Sequence, residues 1–223
     1  MALTFLSAVQ RLWEESGATG IAPASVLNQT NQNAQLVSWV REAWVRIQAE
    51  RRWRFMRSSI DFVTIANQQD YTFTALGLGN FSEVDDKHIV VTDSNGGKQY
   101  LRFFPFESYL DRFGISATQK TAPQFLTITP DLSSFRFFPI PDAVYTITAP
   151  YWKQPTRLAA SADLFPMLDE DVETIVWRAM MMYCDHNDIP SLRAVTRVKY
   201  NTALNAMMRR HLPRPSILSE PLA

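Results

Sequence analysis

Apolar positions change their period twice along the chain. Phe5, Val9, Leu12 and Trp13 recur at i, i+4, i+7 and i+8, one stripe of an amphipathic helix that ends near Gly17. A polar connector containing Pro23 and several Asn and Gln follows. From about Asn33 a longer stripe of Leu36, Val40, Ala43, Trp44 and Ile47 predicts a second helix running towards Trp53. Between Ser58 and Trp152 the period falls to two. Ile60, Phe62 and Thr64 alternate with Asp61, Val63 and Ile65, the pattern of a half-buried strand. Further strands are expected over 71–74, 88–92, 98–104, 124–129, 134–138 and 144–152, with a short helix over 106–113. Asn95-Gly96 supplies the positive φ angles for a hairpin turn.

The helical period then returns. Leu168, Val172, Ile175, Ala179 and Met182 form a stripe, and Asp169, Glu170, Asp171 and Glu173 crowd its first turns, where the helix dipole favours anions. Asn187-Asp188-Ile189-Pro190 breaks the run. A second helix continues from 191 to about 211, before Pro213 and Pro215. The strands lie in one block between helices instead of alternating with them, so the expected class is α+β, not α/β. The expected parts are an N-terminal helical part (1–57), a central antiparallel β module (58–160) closed as a sandwich or a barrel, a C-terminal helical hairpin (161–212) packing with the N-terminal helices, and an extended arm (213–223).

Composition narrows the functions open to such a chain. At 223 residues, 46% apolar and 20% charged, it can bury a real core and is not disordered in bulk. With 22 Lys+Arg against 22 Asp+Glu, it is neither a basic nucleic-acid binder throughout nor an acidic solvating chain. A single cysteine, Cys184, excludes a disulfide framework and a cysteine-rich zinc site. His88, His186 and His211 lie far apart, so no metal or cofactor is expected. No apolar run approaches the roughly 20 residues of a membrane span, and no membrane partner is expected. The first residues do not read as a secretion signal. Proline (13) outnumbers glycine (7), which makes stiff, extended loops. Pro105, Pro123, Pro130, Pro139, Pro141, Pro150 and Pro155 are expected at strand ends or edges.

The neutral total hides segregated blocks. Residues 41–57 carry six Arg and two Glu, a net +4. There the run Arg51-Arg52-Trp53-Arg54-Phe55 reads either as nucleic-acid contact, with Arg on phosphates and aromatics stacking on bases, or as a helix end followed by a core strand. Residues 161–188 are net −6 and residues 191–214 net +6. Two such helices can neutralise each other or pair with those of a neighbouring copy, in which case Asp169, Glu170, Glu173, Arg193, Arg197, Arg209 and Arg210 are the inter-subunit candidates. Cys184-Asp185-His186 places nucleophile, acid and base types side by side, yet adjacent helical side chains point apart and catalytic partners normally meet from separate segments. No catalytic residue is assigned. Gly96-Gly97-Lys98 lacks the strand-to-helix setting of a phosphate loop and reads as a turn. Among the methionines of the last two helices, Met182 and Met208 are expected in the core, and Met180 and Met181 towards a neighbour.

The ordered set of parts resembles the head-to-tail adaptor (connector) proteins of tailed bacteriophages, near the tail-tubular-A type. The resemblance runs through Phe5 to Trp13, the second helix with Trp53-Arg54-Phe55, and Ala122-Pro123-Gln124-Phe125. It continues in Phe137-Phe138-Pro139-Ile140-Pro141-Asp142, Tyr151-Trp152-Lys153-Gln154-Pro155-Thr156-Arg157-Leu158, Ile175-Val176-Trp177-Arg178-Ala179 and the basic last helix. It implies a non-enzymatic virion protein assembled in the host cytoplasm into a homo-oligomeric, dodecameric ring at the neck between capsid and tail. Its implied partners are the portal protein, a tail or nozzle protein, and genome DNA passing non-specifically through the lumen. On that analogy Arg214, Ile217 and Leu218 of the arm are portal-contact candidates, and Arg51, Arg52 and Arg54 are DNA-channel candidates. A tail-tube or neck-completion ring, a non-specific DNA-binding module and, last, a hydrolase acting through His186 stand as alternatives.

Overall fold

The computed structural model describes residues 3–114 and 118–212. Among the described residues, five α-helices flank and punctuate nine short strands in the order expected of an α+β chain. The chain folds as two compact units, Met1–Phe55 with Pro155–Ala223, and Met56–Gln154.

The discontinuous unit is helical. α1 (Phe5–Glu15) starts at a capping box: Thr4 Oγ1 accepts from the Ser7 N–H, and Ser7 Oγ accepts from the Thr4 N–H. α2 (Asn31–Glu50) begins two residues earlier than the apolar stripe suggests and ends where Arg51 turns extended. α4 (Asp169–His186) has three carboxylates in its first turn, and α5 (Pro190–His211) opens on proline and closes on Arg209, Arg210 and His211, each sign matched to the helix dipole. α4 packs against α1, α2 and α5 together, so much of its circumference is buried. That breadth corrects the expectation for the methionines: Met180 and Met207 are core residues, whereas Met182 and Met208 are only half-buried. Buried Gln48 fastens the returning chain to α2, donating to the Thr156 carbonyl at 2.8 Å and accepting from its N–H at 3.0 Å.

The continuous unit holds two open sheets around one apolar core; neither closes into a barrel. In the first, β9 (Thr146–Lys153) is central. β1 (Arg57–Val63) pairs along its whole length, while β4 (Val90–Thr92) and β3 (Phe81–Val84) share its other side end to end. β5 (Lys98–Tyr100) pairs with β4 and forms the edge. The second sheet runs β2 (Asp70–Thr72), β8 (Ser134–Phe138), β7 (Phe125–Ile128), β6 (Arg102–Phe103). The last pair is parallel, so the module is not purely antiparallel. A parallel neighbour needs a crossover, and α3 (Phe106–Phe113) lies in that connection.

The single strand expected over 98–104 is two strands in different sheets. Buried Leu101 is the switch, donating its N–H to the Ile89 carbonyl at 2.9 Å. Phe62, Tyr71, Phe135 and Phe137 pack ring on ring beneath both sheets. Pro150 corrects another expectation, for it sits in the central strand. Its carbonyl accepts from Asp85 on the side shared by β3 and β4. N–H and C=O of one strand residue point the same way, so the missing donor faces the gap where β9 changes partner.

Candidate functional site

The charge-segregated helix pair has first claim as a functional surface, and most of its charges are spent inside the chain. Asp171 is fully buried at the start of α4. Its carboxylate accepts from Arg210 Nη2 at 2.7 Å and contacts His211 Nε2 at 2.7 Å, both from the last turn of α5. Arg210 also reaches Glu170. Burial works against the Arg210 charge, but the two carboxylates outweigh it and raise its pKa. His211 in turn meets the edge of Phe55 at 5.3 Å between ring centroids. At the other end of the pair Arg193 holds Asp185. In the sequence Asp171 is one acid among several; its place beside Val172 on the buried side of the helix is the signal that sets it apart.

The remaining acids turn to α1 and its flank. Glu173 lies 3.6 Å from Arg11 Nε, and Asp169 Oδ1 accepts from the Leu3 N–H at 2.8 Å. Lys199 sits over the Trp177 ring at 4.1 Å with Glu15 at 3.7 Å. Of the seven inter-subunit candidates, Arg197 and Arg209 are exposed and have no ion pair among the described residues.

In the basic-aromatic run the arginines and the aromatics part company. Arg51, Arg52 and Arg54 are exposed. Trp53 is fully buried, its Nε1–H donating to the Ile47 carbonyl, and it stacks on half-buried Phe55. A buried indole is no platform for a base, so stacking by Trp53 is excluded and only the arginines remain for phosphate contact.

Neither small motif assembles a reacting centre. Cys184 is buried, and burial pushes its thiol pKa up, partly offset by the Thr196 hydroxyl. His186 is exposed and rests on Trp39 at 5.4 Å, and Asp185 is taken by Arg193. Gly96-Gly97 is the turn of the β4–β5 hairpin. Asp93 Oδ1 accepts from the N–H groups of Asn95 and Gly97 at 2.8 Å each, filling the donors a phosphate would need. Among the described residues no cluster of three or more His, Cys, Asp or Glu is placed to hold a metal ion. No described helix is long and apolar enough to cross a membrane. The portal-contact candidates Arg214, Ile217 and Leu218 lie outside the described residues.

The described helix pair thus spends most of its charges within the chain and leaves Arg197 and Arg209 exposed, as are Arg51, Arg52 and Arg54. No curated protein matches this one. The family model described as SU10 adaptor protein matches residues 3–218. The chain therefore belongs to the SU10 adaptor protein family, a family of phage adaptors with a structural role.

Proposed function

We propose that this adaptor is the subunit of a ring at the virion neck that joins the capsid portal to the tail and surrounds the path of the genome. Family membership across nearly the whole chain carries the reading. The charge layout supports it in a narrower way. Because the ends of α4 and α5 pair with each other within one subunit and Glu173 and Lys199 pair with α1, ring contacts fall to charges left over, of which Arg197 and Arg209 are the exposed pair on α5. The seven candidates drawn from the charge blocks reduce to these two in this reading. Arg51, Arg52 and Arg54 are exposed cations on the lumen side, where a sequence-blind contact with phosphates suffices. The arm, through Arg214, Ile217 and Leu218, docks on the portal; its prolines limit the entropy lost on docking.

Electron microscopy of the purified protein, alone and mixed with portal particles, tests the assembly. End-on rings seated on the portal are expected, whereas particles that never associate with the portal would overturn the reading. Deleting residues 213–223 should leave a folded subunit and weaken portal capture in a pull-down. Undiminished capture would remove the arm from the contact.

A further inference from the structure

The five-stranded sheet has a second face, turned away from the core, and the register fixes what it presents. Asp61, Thr148, Val90 and Tyr100 form one row across β1, β9, β4 and β5. Val63, Thr146, Thr92 and Lys98 form the next. Beyond them the Thr64 N–H donates to the Tyr145 carbonyl and the Tyr145 N–H to the Thr64 hydroxyl, which extends the ladder and sets Ile65 beside Val144. This face leaves large apolar side chains in water: Val63 and Ile65 are each 58% exposed, Val144 60% and Tyr100 71%. Val63, Ile65 and Val144 adjoin at one corner and Tyr100 stands at the opposite one, across Thr146, Thr148 and Thr92; exposed apolar groups gathered on one sheet face mark an interaction surface.

Arg57 and Glu83 extend this face at its Trp152 end, and within the two rows the charges are Asp61 and Lys98, which identify the occupant. Asp61 and Lys98 stand at opposite corners of the two rows, three strand spacings or about 14 Å apart, too far to pair within one chain. Asp61 accepts from the Thr148 hydroxyl at 2.6 Å, and Lys98 has no ion pair among the described residues. When two copies meet face to face across a two-fold axis through the central threonines, Asp61 of each falls against Lys98 of the other. The apolar corners are covered at the same time. One negative and one positive corner around a neutral centre make the surface complementary to itself, the condition for an isologous contact.

We propose that this sheet face docks a second copy of the chain, with reciprocal Asp61–Lys98 pairs. The proposal rests on the sheet alone and is independent of the ring reading. Four strands by five residues span roughly 300 Å² seen face-on, below the ~800 Å² a side of a standard interface, so the dimer is weak, with a Kd on the order of 10–100 μM.

Sedimentation velocity of the full chain from about 1 to 200 μM, a range bracketing that Kd, tests it. A monomer–dimer equilibrium is expected. Asp61→Lys or Lys98→Asp alone places like charges at both corners and should weaken the dimer about tenfold. The double variant restores the pairs with signs exchanged and should return the Kd to within about threefold of the parent. Tyr100→Glu, which leaves the Asp61–Thr148 bond intact, should also abolish the dimer, and circular dichroism checks that each variant is folded. A monomer throughout the range overturns the proposal, as does a double variant no tighter than the single ones.

Discussion

Replacing Asp171 with Asn tests whether the buried carboxylate is what holds the ends of α4 and α5 together. The side chain is 0% exposed and serves two partners, the Arg210 guanidinium at 2.7 Å and the His211 ring at 2.7 Å. Breaking a buried pair by removing one partner costs about 3–5 kcal/mol. Arg210 is 35% exposed and keeps Glu170, so part of its charge returns to water and the lower end applies, about 3 kcal/mol. For a chain of this length that is a fall in Tm of about 6–12 °C. The assay follows from where the tryptophans lie: Trp13, Trp39, Trp44, Trp53 and Trp177 belong to the helical unit and only Trp152 to the other. Urea unfolding followed by tryptophan emission therefore reports this unit. Glu170→Gln, at a side chain 76% exposed, is the control and should cost under about 0.5 kcal/mol. A double-mutant cycle with His211→Ala should show coupling of about 1 kcal/mol or more. If Asp171→Asn costs no more than the control, the clamp is not what orders the end of α5.

Phe137→Ala empties a fully buried ring site between the sheets and should cost about 3–5 kcal/mol, read by near-ultraviolet circular dichroism of the β unit. Gly97→Ala would bring a Cβ to 2.6 Å from Asp93 Oδ2, within a turn where that carboxylate is already committed. Hydrogen exchange of the Lys98–Tyr100 amides should quicken about tenfold, while the β1–β9 amides should not change. Tyr145 donates its hydroxyl to Asp142 at 2.7 Å, and that bond, with partial burial, pushes its pKa up to about 12. A raised phenol pKa stabilises the fold below pH 10, and the contribution is lost as pH rises from 10 through 12. In an absorbance titration at high pH, Asp142→Asn should bring one tyrosine back towards 10; an unchanged curve would contradict the bond.

The parts of the fold that are legible in sequence are those with an unbroken period. α3 and β8 fall on their expected residues, and in β1 the inward Phe62 and outward Val63 follow the alternation. β3 is not legible, because a register shift between Phe81 and Glu83 breaks the period of two and leaves Phe81 and Val84 both buried, three residues apart. The β5–β6 break is hidden for the opposite reason. Lys98 to Phe104 keeps a strand-like composition while Leu101 hands the chain from one sheet to the other, a decision made by non-local pairing. The rule that confines proline to edges misplaces Pro150, because the gap between β3 and β4 that admits it exists only in the folded sheet.

The site is legible as charge but not as pairing. Opposite blocks on consecutive helices are plain, yet only three-dimensional phase shows that Arg210 and Arg193 are taken within the chain and that Arg197 and Arg209 are left over. Similarly, the residue types in Arg51 to Phe55 fit either reading. The burial of Trp53, whose indole N–H is bonded to the Ile47 carbonyl, removes that ring as a platform for a base.

The central position of β9 governs when this protein can fold. It is the last strand made among the described residues; β1 and β3 pair with it alone, and β4 pairs with it on the side away from β5. At roughly 5–20 residues per second, β1 waits several seconds on the ribosome before its partner is synthesised, with Val63 and Ile65 already in water. The helical unit waits longer still, because α1 and α2 pack against α4, made after the whole β unit. Neither unit can therefore be completed before the chain has passed Lys153, so assembly draws on finished chains and the growing chain is exposed to mispairing throughout.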